Sequence, residues 1–288
     1  MNRIIGKKLN LPLCALTMGV ALLLGVFAAG CSTESGGQST PSAEAQRNRL
    51  KIAEAMFQER CKTAGEKIYR TVDNVEGIFL MKIRPEKDNF SDQFALDDPY
   101  GRDFGGDVAI RTLLRGNYET NNIGGTRIAG APPSPLGYLY IDAIDPRDGQ
   151  RYRYKGHIEE PWQHDRTYLK GFLHFVMTKE STSQSQPRYG VTYDDISTKA
   201  DREYWIAGSV LKVIDLQTKQ VIAERIGYMM DQRQGDTTAG RSPWLFAADH
   251  ACPSFQRNFL RPSGDGAASQ IRQTQYFVEK VLKPKSDN

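Results

Sequence analysis

The order of apolar and polar residues predicts a helix near each end of the body of the chain. Leu50, Ala53, Phe57, Cys61 and Ala64 recur at the spacing of one helix face, so a helix is expected over residues 42–65. A similar pattern predicts a second helix over residues 269–282, with its apolar side formed by Ile271, Val278, Val281 and Leu282.

Between these helices, alternating or continuous apolar segments predict about eight strands. They are expected over residues 66–72, 77–83, 138–144, 151–155, 169–179, 188–193, 205–214 and 221–230. Turn residues at 73–74, 146–149 and 216–219 predict hairpins, and Thr198 with Asp201 predicts a capped helical turn. Residues 85–135 are rich in Pro, Gly, Asp and Asn and predict one short helix, at 107–115. The expected fold class is therefore α+β, a single domain over residues 46–288 with a largely antiparallel sheet.

The first thirty-one residues have a different pattern. Arg3, Lys7 and Lys8 precede an uncharged, mostly apolar stretch over residues 11–29, and a run of small residues then ends at Cys31. Polar residues begin abruptly after this cysteine, which favours a cleaved export signal. The apolar stretch is also long enough to cross a bilayer, so an uncleaved transmembrane helix is the alternative.

The segment Ala28-Ala29-Gly30-Cys31 resembles the lipobox of bacterial lipoproteins. It departs from the family at Ala28, where Leu, Val or Ile is usual. The resemblance implies that residues 1–30 are a signal peptide and that Cys31 carries fatty acyl chains such as palmitate. Ser32, where inner-membrane lipoproteins tend to have Asp, implies anchoring to the outer membrane with the body in the periplasm. Residues 31–45 are then a lipidated flexible tether, rich in Ser, Thr, Gly and Gln.

Charge and composition exclude several classes of protein. With 39% hydrophobic residues the chain has enough apolar surface to fold, and only its N-terminus holds a long apolar run. The net charge of +4 includes Arg3, Lys7 and Lys8, so the chain after residue 30 keeps 35 of the 38 bases against 34 acids. No charge excess remains for binding nucleic acid.

The cysteines predict one disulfide in the exported body. Cys14 lies in the predicted signal peptide and Cys31 in the predicted lipid anchor, which leaves Cys61 and Cys252 for a single pairing in an oxidising compartment. A reactive thiol is the alternative, because Asp249-His250 precedes Cys252 closely.

The sequence holds no catalytic or metal-binding pattern of high specificity. His157 and His164 have no standard zinc spacing and Pro161 separates them, while His174 alternates with apolar residues in a predicted strand. Ser242 with Asp249-His250 suggests a triad, but no Gly-x-Ser-x-Gly motif is present. Paired carboxylates are the remaining candidates for calcium binding or glycosidase chemistry, at Asp97-Asp98, Asp142 with Asp145, and Asp194-Asp195. No catalytic residue, metal ligand or cofactor is assigned.

One hairpin carries the best candidate binding surface. It is formed by Tyr138, Tyr140, Tyr152, Tyr154, Arg151 and Arg153. Tyrosines with nearby arginines are typical of interfaces with proteins or sugars. Aromatic packing between strands inside the sheet explains the same residues without a ligand.

These observations favour a lipid-anchored periplasmic protein that acts as a non-catalytic structural or interaction module. Its expected partners are the membrane, through the acyl chains, and another envelope protein. An envelope hydrolase that cleaves peptidoglycan or glycan through paired carboxylates is the alternative function.

Overall fold

A mixed nine-stranded sheet is the centre of the fold. The computed structural model describes residues 42–84, 92–94, 106–118, 136–255 and 272–286, which belong to one compact unit over residues 41–288. Its strands are β1 (Gly65–Ile68), β2 (Val72–Val75), β3 (Gly77–Leu80), β4 (Tyr140–Ile144), β5 (Arg151–Glu159), β6 (His174–Ser181), β7 (Tyr189–Asp195), β8 (Ile206–Asp215), β9 (Gln220–Met230), β10 (Ala251–Cys252) and β11 (Leu282–Pro284). Its helices are α1 (Ala43–Cys61), α2 (Gly106–Leu113), α3 (Lys199–Glu203), α4 (Pro243–Ala247) and α5 (Gln273–Val281).

The strand order of the large sheet is β1-β9-β8-β7-β3-β4-β5-β6, and β10 pairs with β9 on the same edge as β1. All neighbours are antiparallel except β3, which runs parallel to both β4 and β7. A separate pair of parallel strands is formed by β2 and β11. The predicted α+β class and largely antiparallel sheet are confirmed.

The parallel position of β3 explains the region that the sequence pattern left irregular. Every residue of β3 is buried, as expected for a central strand. Parallel neighbours cannot be joined by a tight turn, so the chain needs a long crossover to pass from β3 to β4. That connection contains α2, which begins at Gly106 and ends at Leu113, close to the predicted helix at 107–115.

Helices cover both faces of the sheet. Neighbouring residues of a strand point to opposite faces. On β8, Ile206 packs with Phe57 of α1, whereas Leu211 belongs to the core cluster that contains Phe277 of α5 and Ile110 of α2. The predicted buried face of the first helix is confirmed, because Ala53 and Phe57 are buried and its other members pack beside them.

Local turn chemistry fixes the hairpins. In the β8–β9 turn, the carboxylate of Asp215 accepts hydrogen bonds from the backbone N–H groups of Gln217 (3.1 Å) and Thr218 (3.4 Å). In the β4–β5 turn, Asp145 accepts one from the Arg147 N–H at 2.9 Å. Both hairpins are confirmed. The capped turn is confirmed as well, since Thr198 and Asp201 form a reciprocal capping box at the start of α3.

Several local predictions differ from the structure, and the final helix, for example, ends at Val281 because Leu282 opens β11. Helix α1 begins at Ala43, inside the predicted tether, and ends at Cys61 rather than near Gly65, which opens β1. The predicted turn at residues 73–74 lies within β2, where Asn74 adopts a positive φ of 59°. Residues 169–173 form turns before β6 rather than the start of a strand. The signal peptide, Cys31, most of the tether and the pair Asp97-Asp98 lie outside the described residues.

Candidate ligand-binding site

A pocket lies on the face of the sheet that α2 and α5 cover. It opens beyond the carboxyl end of β3, beside the parallel strand β7, and β8 contributes to its floor. Its empty volume is about 510 Å³, including the part that is open to solvent.

The floor of the pocket is apolar and belongs to the main core. Leu80 of β3, Val191 of β7, Leu211 of β8 and Leu113 of α2 line it. All four side chains are buried, so they are held in place by the packing of the sheet against the helices. A ligand that places an apolar group here removes that group from water.

Two cations form one wall of the pocket. Lys82 and Arg84 follow β3 directly, and both also contact the ring of Tyr193 on β7. The Nζ of Lys82 lies 4.2 Å from the Tyr193 ring centroid and the Cζ of Arg84 lies 4.0 Å from it. These cation–π contacts hold two positive charges at the pocket. Within the described residues, no aspartate or glutamate lines it.

A polar wall is formed by α2 and α5. The side-chain amide of Gln275 is buried; its Nε2 donates to the backbone carbonyl of Thr112 at 2.6 Å and to Glu279 Oε1 at 3.2 Å. Both of these partners are acceptors, so the orientation of the amide is fixed. The Oε1 of Gln275 has no hydrogen-bond donor among the residues that the structure describes. A buried acceptor of this kind favours a ligand that carries an N–H or O–H group.

Behind the polar wall lies a carboxyl group with an unusual acidity. Burial raises the pKa of Glu279 to about 7, although hydrogen bonds from Gln275 and from the backbone of Gly137 and Leu136 oppose the rise. Removal from water disfavours the charged form of a carboxyl group. Glu279 therefore titrates near neutral pH, one helical turn from Gln275.

The predicted binding surface on the β4–β5 hairpin does not form as one exposed face. Tyr138 and Tyr154 are buried in the main core, and burial raises the pKa of Tyr154 to about 12. Tyr152 packs partly buried against the same core. The prediction is wrong for these residues because they point towards the helices, and aromatic packing inside the sheet is the correct interpretation.

The remaining members of that surface lie on the opposite face and are held by ion pairs. Arg153 bonds the buried Asp142 through Nε (2.7 Å) and Nη2 (3.0 Å), and its guanidinium lies 3.9 Å from the centroid of Tyr140. Arg151 contacts the same carboxylate at 3.4 Å. The hydrogen bond to Asp142 raises the pKa of Arg153. These contacts are structural and do not create a binding surface with the buried tyrosines.

Cys61 and Cys252 form the predicted pair. Their sulfur atoms lie at bonding distance, and their Cα atoms are 5.6 Å apart. The neighbouring His250 contacts Glu54 on α1 (3.1 Å) and Gln232 (3.3 Å), and its ring packs at a tilt against the ring of Phe57. These contacts place His250 in the interface between α1 and the edge of the sheet, where its role is structural.

The acidic pairs that the structure describes are each engaged by cations. Hydrogen bonds from Arg147 and Lys179 hold the pKa of Asp145 well below its ordinary value. Asp194 pairs with Lys212 at 2.7 Å, and Asp195 with Arg202. Across the described ranges, no group of three or more His, Cys, Asp or Glu side chains could hold a metal ion.

The described histidines other than His250 lie near the β5–β6 connection. His157 bonds Glu159 at 2.9 Å, while His164 and His174 are exposed. The same connection also exposes apolar side chains that the sequence pattern assigned to a strand, with Leu169 80% exposed beside Tyr168 and Phe172.

Sequence reasoning missed the pocket. The sequence analysis assigned no role to Lys82 and Arg84, although two cations directly after a continuously apolar strand are a recognisable sequence pattern. Gln275 and Glu279 were placed on the final helix without a role. Their contribution depends on how α5 packs against α2, which the local pattern does not encode.

The chain matches no family model, no curated protein and no solved structure. None of the helices in the described ranges is long and apolar enough to cross a membrane.

Proposed function

We propose that this chain is a lipid-anchored envelope protein that binds a small molecule and does not catalyse a reaction. The observation that carries the binding role is the pocket between β3, β7, α2 and α5, with its apolar floor and its wall of two cations on Tyr193. A pocket that combines an apolar floor with a few polar groups is the ordinary form of a ligand site.

The anchoring part of the proposal depends on the N-terminal pattern. Positive residues, an apolar stretch and small residues before Cys31 support export and acylation. We expect Cys31→Ser to abolish incorporation of an alkyne-labelled palmitate and to leave unprocessed precursor in the membrane fraction. Unchanged labelling in this variant would contradict acylation at Cys31.

The contacts of the paired carboxylates favour a binding role over hydrolysis. Glycosidase chemistry by paired carboxylates requires two such groups to face one cleft. Asp142, Asp145, Asp194 and Asp195 instead face arginine or lysine side chains. Incubation of the purified full chain with isolated peptidoglycan is expected to release no soluble fragments. Sustained release by wild-type protein would favour the envelope hydrolase.

The binding role is tested by filling the pocket. Ala109 on α2 lines it, whereas its neighbour Val108 is exposed and does not. We expect mass spectrometry of solvent extracts to find a small molecule that copurifies with the full-length wild-type protein and with Val108→Phe but not with Ala109→Phe. Identical extracts from all three proteins would contradict a ligand in this pocket.

A further inference from the structure

We infer that the connection between β5 and β6 is a second contact with the membrane, in which exposed apolar side chains enter the interfacial region of a phospholipid bilayer. Residues 160–173, which form this connection, are called the aromatic loop. The inference goes beyond ligand binding and rests on the anchoring part of the proposed function, because the N-terminal anchor is what keeps this loop near a bilayer.

The aromatic loop carries the most exposed large apolar side chain among the residues that the structure describes. Leu169 is 80% exposed, and its neighbours Tyr168 and Phe172 are 46% and 40% exposed. The two rings stack on each other, with their centroids 6.0 Å apart. Apolar side chains that cluster on a surface in this way mark a contact with a protein or with a membrane.

The cations beside these side chains favour the membrane. Arg166 and Lys170 lie over the ring of Trp162, with the Cζ of Arg166 3.7 Å and the Nζ of Lys170 5.2 Å from its centroid. Within the described ranges, neither cation forms an ion pair with a carboxylate. Tryptophan and tyrosine concentrate where a bilayer meets water, and arginine and lysine keep their charged ends in water while their methylene groups cover apolar surface. An apolar tip with such a belt matches the polarity profile of a bilayer surface.

The acidic side chains of the aromatic loop hold its shape. Glu160 Oε1 accepts a hydrogen bond from the backbone N–H of Gly171 at 3.1 Å. Asp165 Oδ1 accepts hydrogen bonds from the backbone N–H and the hydroxyl of Thr167, at 2.9 Å and 2.8 Å. These bonds fix the loop in a form that exposes Leu169. A preformed loop loses little conformational entropy when it makes its contact.

The aromatic loop and the start of α1 lie at opposite ends of the large sheet. Strand β4 runs parallel to β3 and β7, whereas β5 and β8 run the other way, so the aromatic loop lies where β4 begins and β8 begins at the far end. The N-terminal half of α1 lies at that far end, because Arg49 contacts Tyr204, two residues before β8. The ten residues of β8 alone span about 33 Å. One bilayer therefore touches both points only when the strands lie along its surface, so the second contact sets the orientation of the body.

Quenching of tryptophan fluorescence by brominated lipids tests this contact on the full-length chain. Of the three tryptophans, Trp205 and Trp244 are only 6% and 2% exposed, so Trp162 is the one that lipid can reach. The protein is reconstituted in phosphatidylcholine vesicles with bromine near either the glycerol end or the methyl end of the acyl chains, and vesicle flotation measures how much protein is anchored. We expect the shallow bromines to quench more strongly than the deep ones. Trp162→Phe is expected to remove this quenching.

Matched variants test the role of the apolar tip. Leu169→Glu places a charge at the tip and is expected to abolish the quenching of Trp162, while the protein still floats with the vesicles through its N-terminus. The control, Val221→Glu, makes the same change at an apolar residue of β9 that is 38% exposed, and is expected to keep the quenching. Thermal unfolding of each variant checks that it is folded.

The outcomes separate the second contact from the anchor. Wild-type protein that floats with the vesicles but shows no quenching of Trp162 overturns the membrane contact, leaves the aromatic loop to a protein partner and lets the anchoring stand. Quenching that Leu169→Glu leaves unchanged, or that Val221→Glu reduces as much, also overturns the membrane contact. If the wild-type protein does not float with the vesicles, the proposed anchoring fails and the second contact fails with it.

Discussion

Glu279 gives a sharp prediction about how stability depends on pH. Its folded-state pKa of about 7 lies above its ordinary value of 4.5 because the carboxyl group is buried behind the pocket. Below pH 4.5 the group is protonated in both the folded and unfolded chain, and its stabilising contribution is fully present. As the pH rises from 4.5 to 7 the unfolded chain ionises first, so the free energy of unfolding falls.

The size of this fall follows from the two pKa values. At 1.36 kcal/mol for each pKa unit, the difference between 4.5 and about 7 corresponds to about 3 kcal/mol, and the fall ends above pH 7. Glu279→Gln keeps an oxygen that accepts hydrogen bonds from the backbone of Leu136 and Gly137 but cannot ionise. The variant is therefore expected to gain about 3 kcal/mol relative to wild type between these two pH values.

Urea unfolding of the full chain at a series of pH values measures this difference. Other titrating groups, including Asp145 and Asp215, are present in both proteins and cancel in the comparison. Glu59→Gln, at a position that is 69% exposed and paired with Lys62, is the matched control and is expected to give no pH-dependent difference. A difference between Glu279→Gln and wild type that stays constant across this range would refute the burial of the Glu279 carboxyl group.

Two further predictions concern the disulfide and the buried ion pair. Replacement of both Cys61 and Cys252 by alanine removes a link between residues 191 apart and is expected to lower the free energy of unfolding by about 5 kcal/mol. Treatment of the wild-type protein with a reductant is expected to lower it by the same amount. An unchanged urea midpoint would contradict this prediction. Asp142→Ala leaves the Arg153 guanidinium buried without its carboxylate and is expected to cost about 3–5 kcal/mol in the same assay. Asp73→Ala, which removes an exposed partner of Lys283, is expected to lower the free energy of unfolding by less than about 1 kcal/mol. Equal losses for Asp142→Ala and Asp73→Ala would contradict the claim that burial makes the Asp142 ion pair important.

Much of the fold was predictable because its signals are local. The β8–β9 hairpin follows from two apolar segments and a short turn, and the capping box at Thr198 follows from two residues three positions apart. The disulfide followed from counting the cysteines in a body that is predicted to be exported. In each case the deciding residues are close in sequence or too few to combine in another way.

The parallel pairing of β3 was not predictable from local pattern. Its continuous apolar run indicates a buried strand but does not say that β4 and β7 run in the same direction beside it. The prediction of a binding surface on the β4–β5 hairpin was wrong for a related reason. Alternation puts Tyr152 and Tyr154 on one face of β5, but only the packing of α2 and α5 decides that this face is the buried one.

The candidate site could not be predicted from local sequence pattern either. Lys82, Arg84, Tyr193 and Gln275 come from three separated parts of the chain, and none is unusual by itself. Their meeting depends on the β3–β7 pairing and on the position of α5. The chemistry of the pocket therefore appears only when the long-range contacts are known.

Photo-crosslinking is the most direct measurement of the central claim that this pocket binds a small molecule with an apolar body. The probe is 3-hydroxyoctanoate with a diazirine at the end of its chain. It is irradiated with the full-length protein in phosphatidylcholine nanodiscs, and the labelled sites are mapped by peptide mass spectrometry. The account predicts labelling of peptides that contain Leu80, Leu113 or Leu211, competed by unlabelled 3-hydroxyoctanoate and lost in Ala109→Phe. Labelling confined to the exposed side chains of Tyr168, Leu169 and Phe172, and unaffected by that substitution, would contradict it.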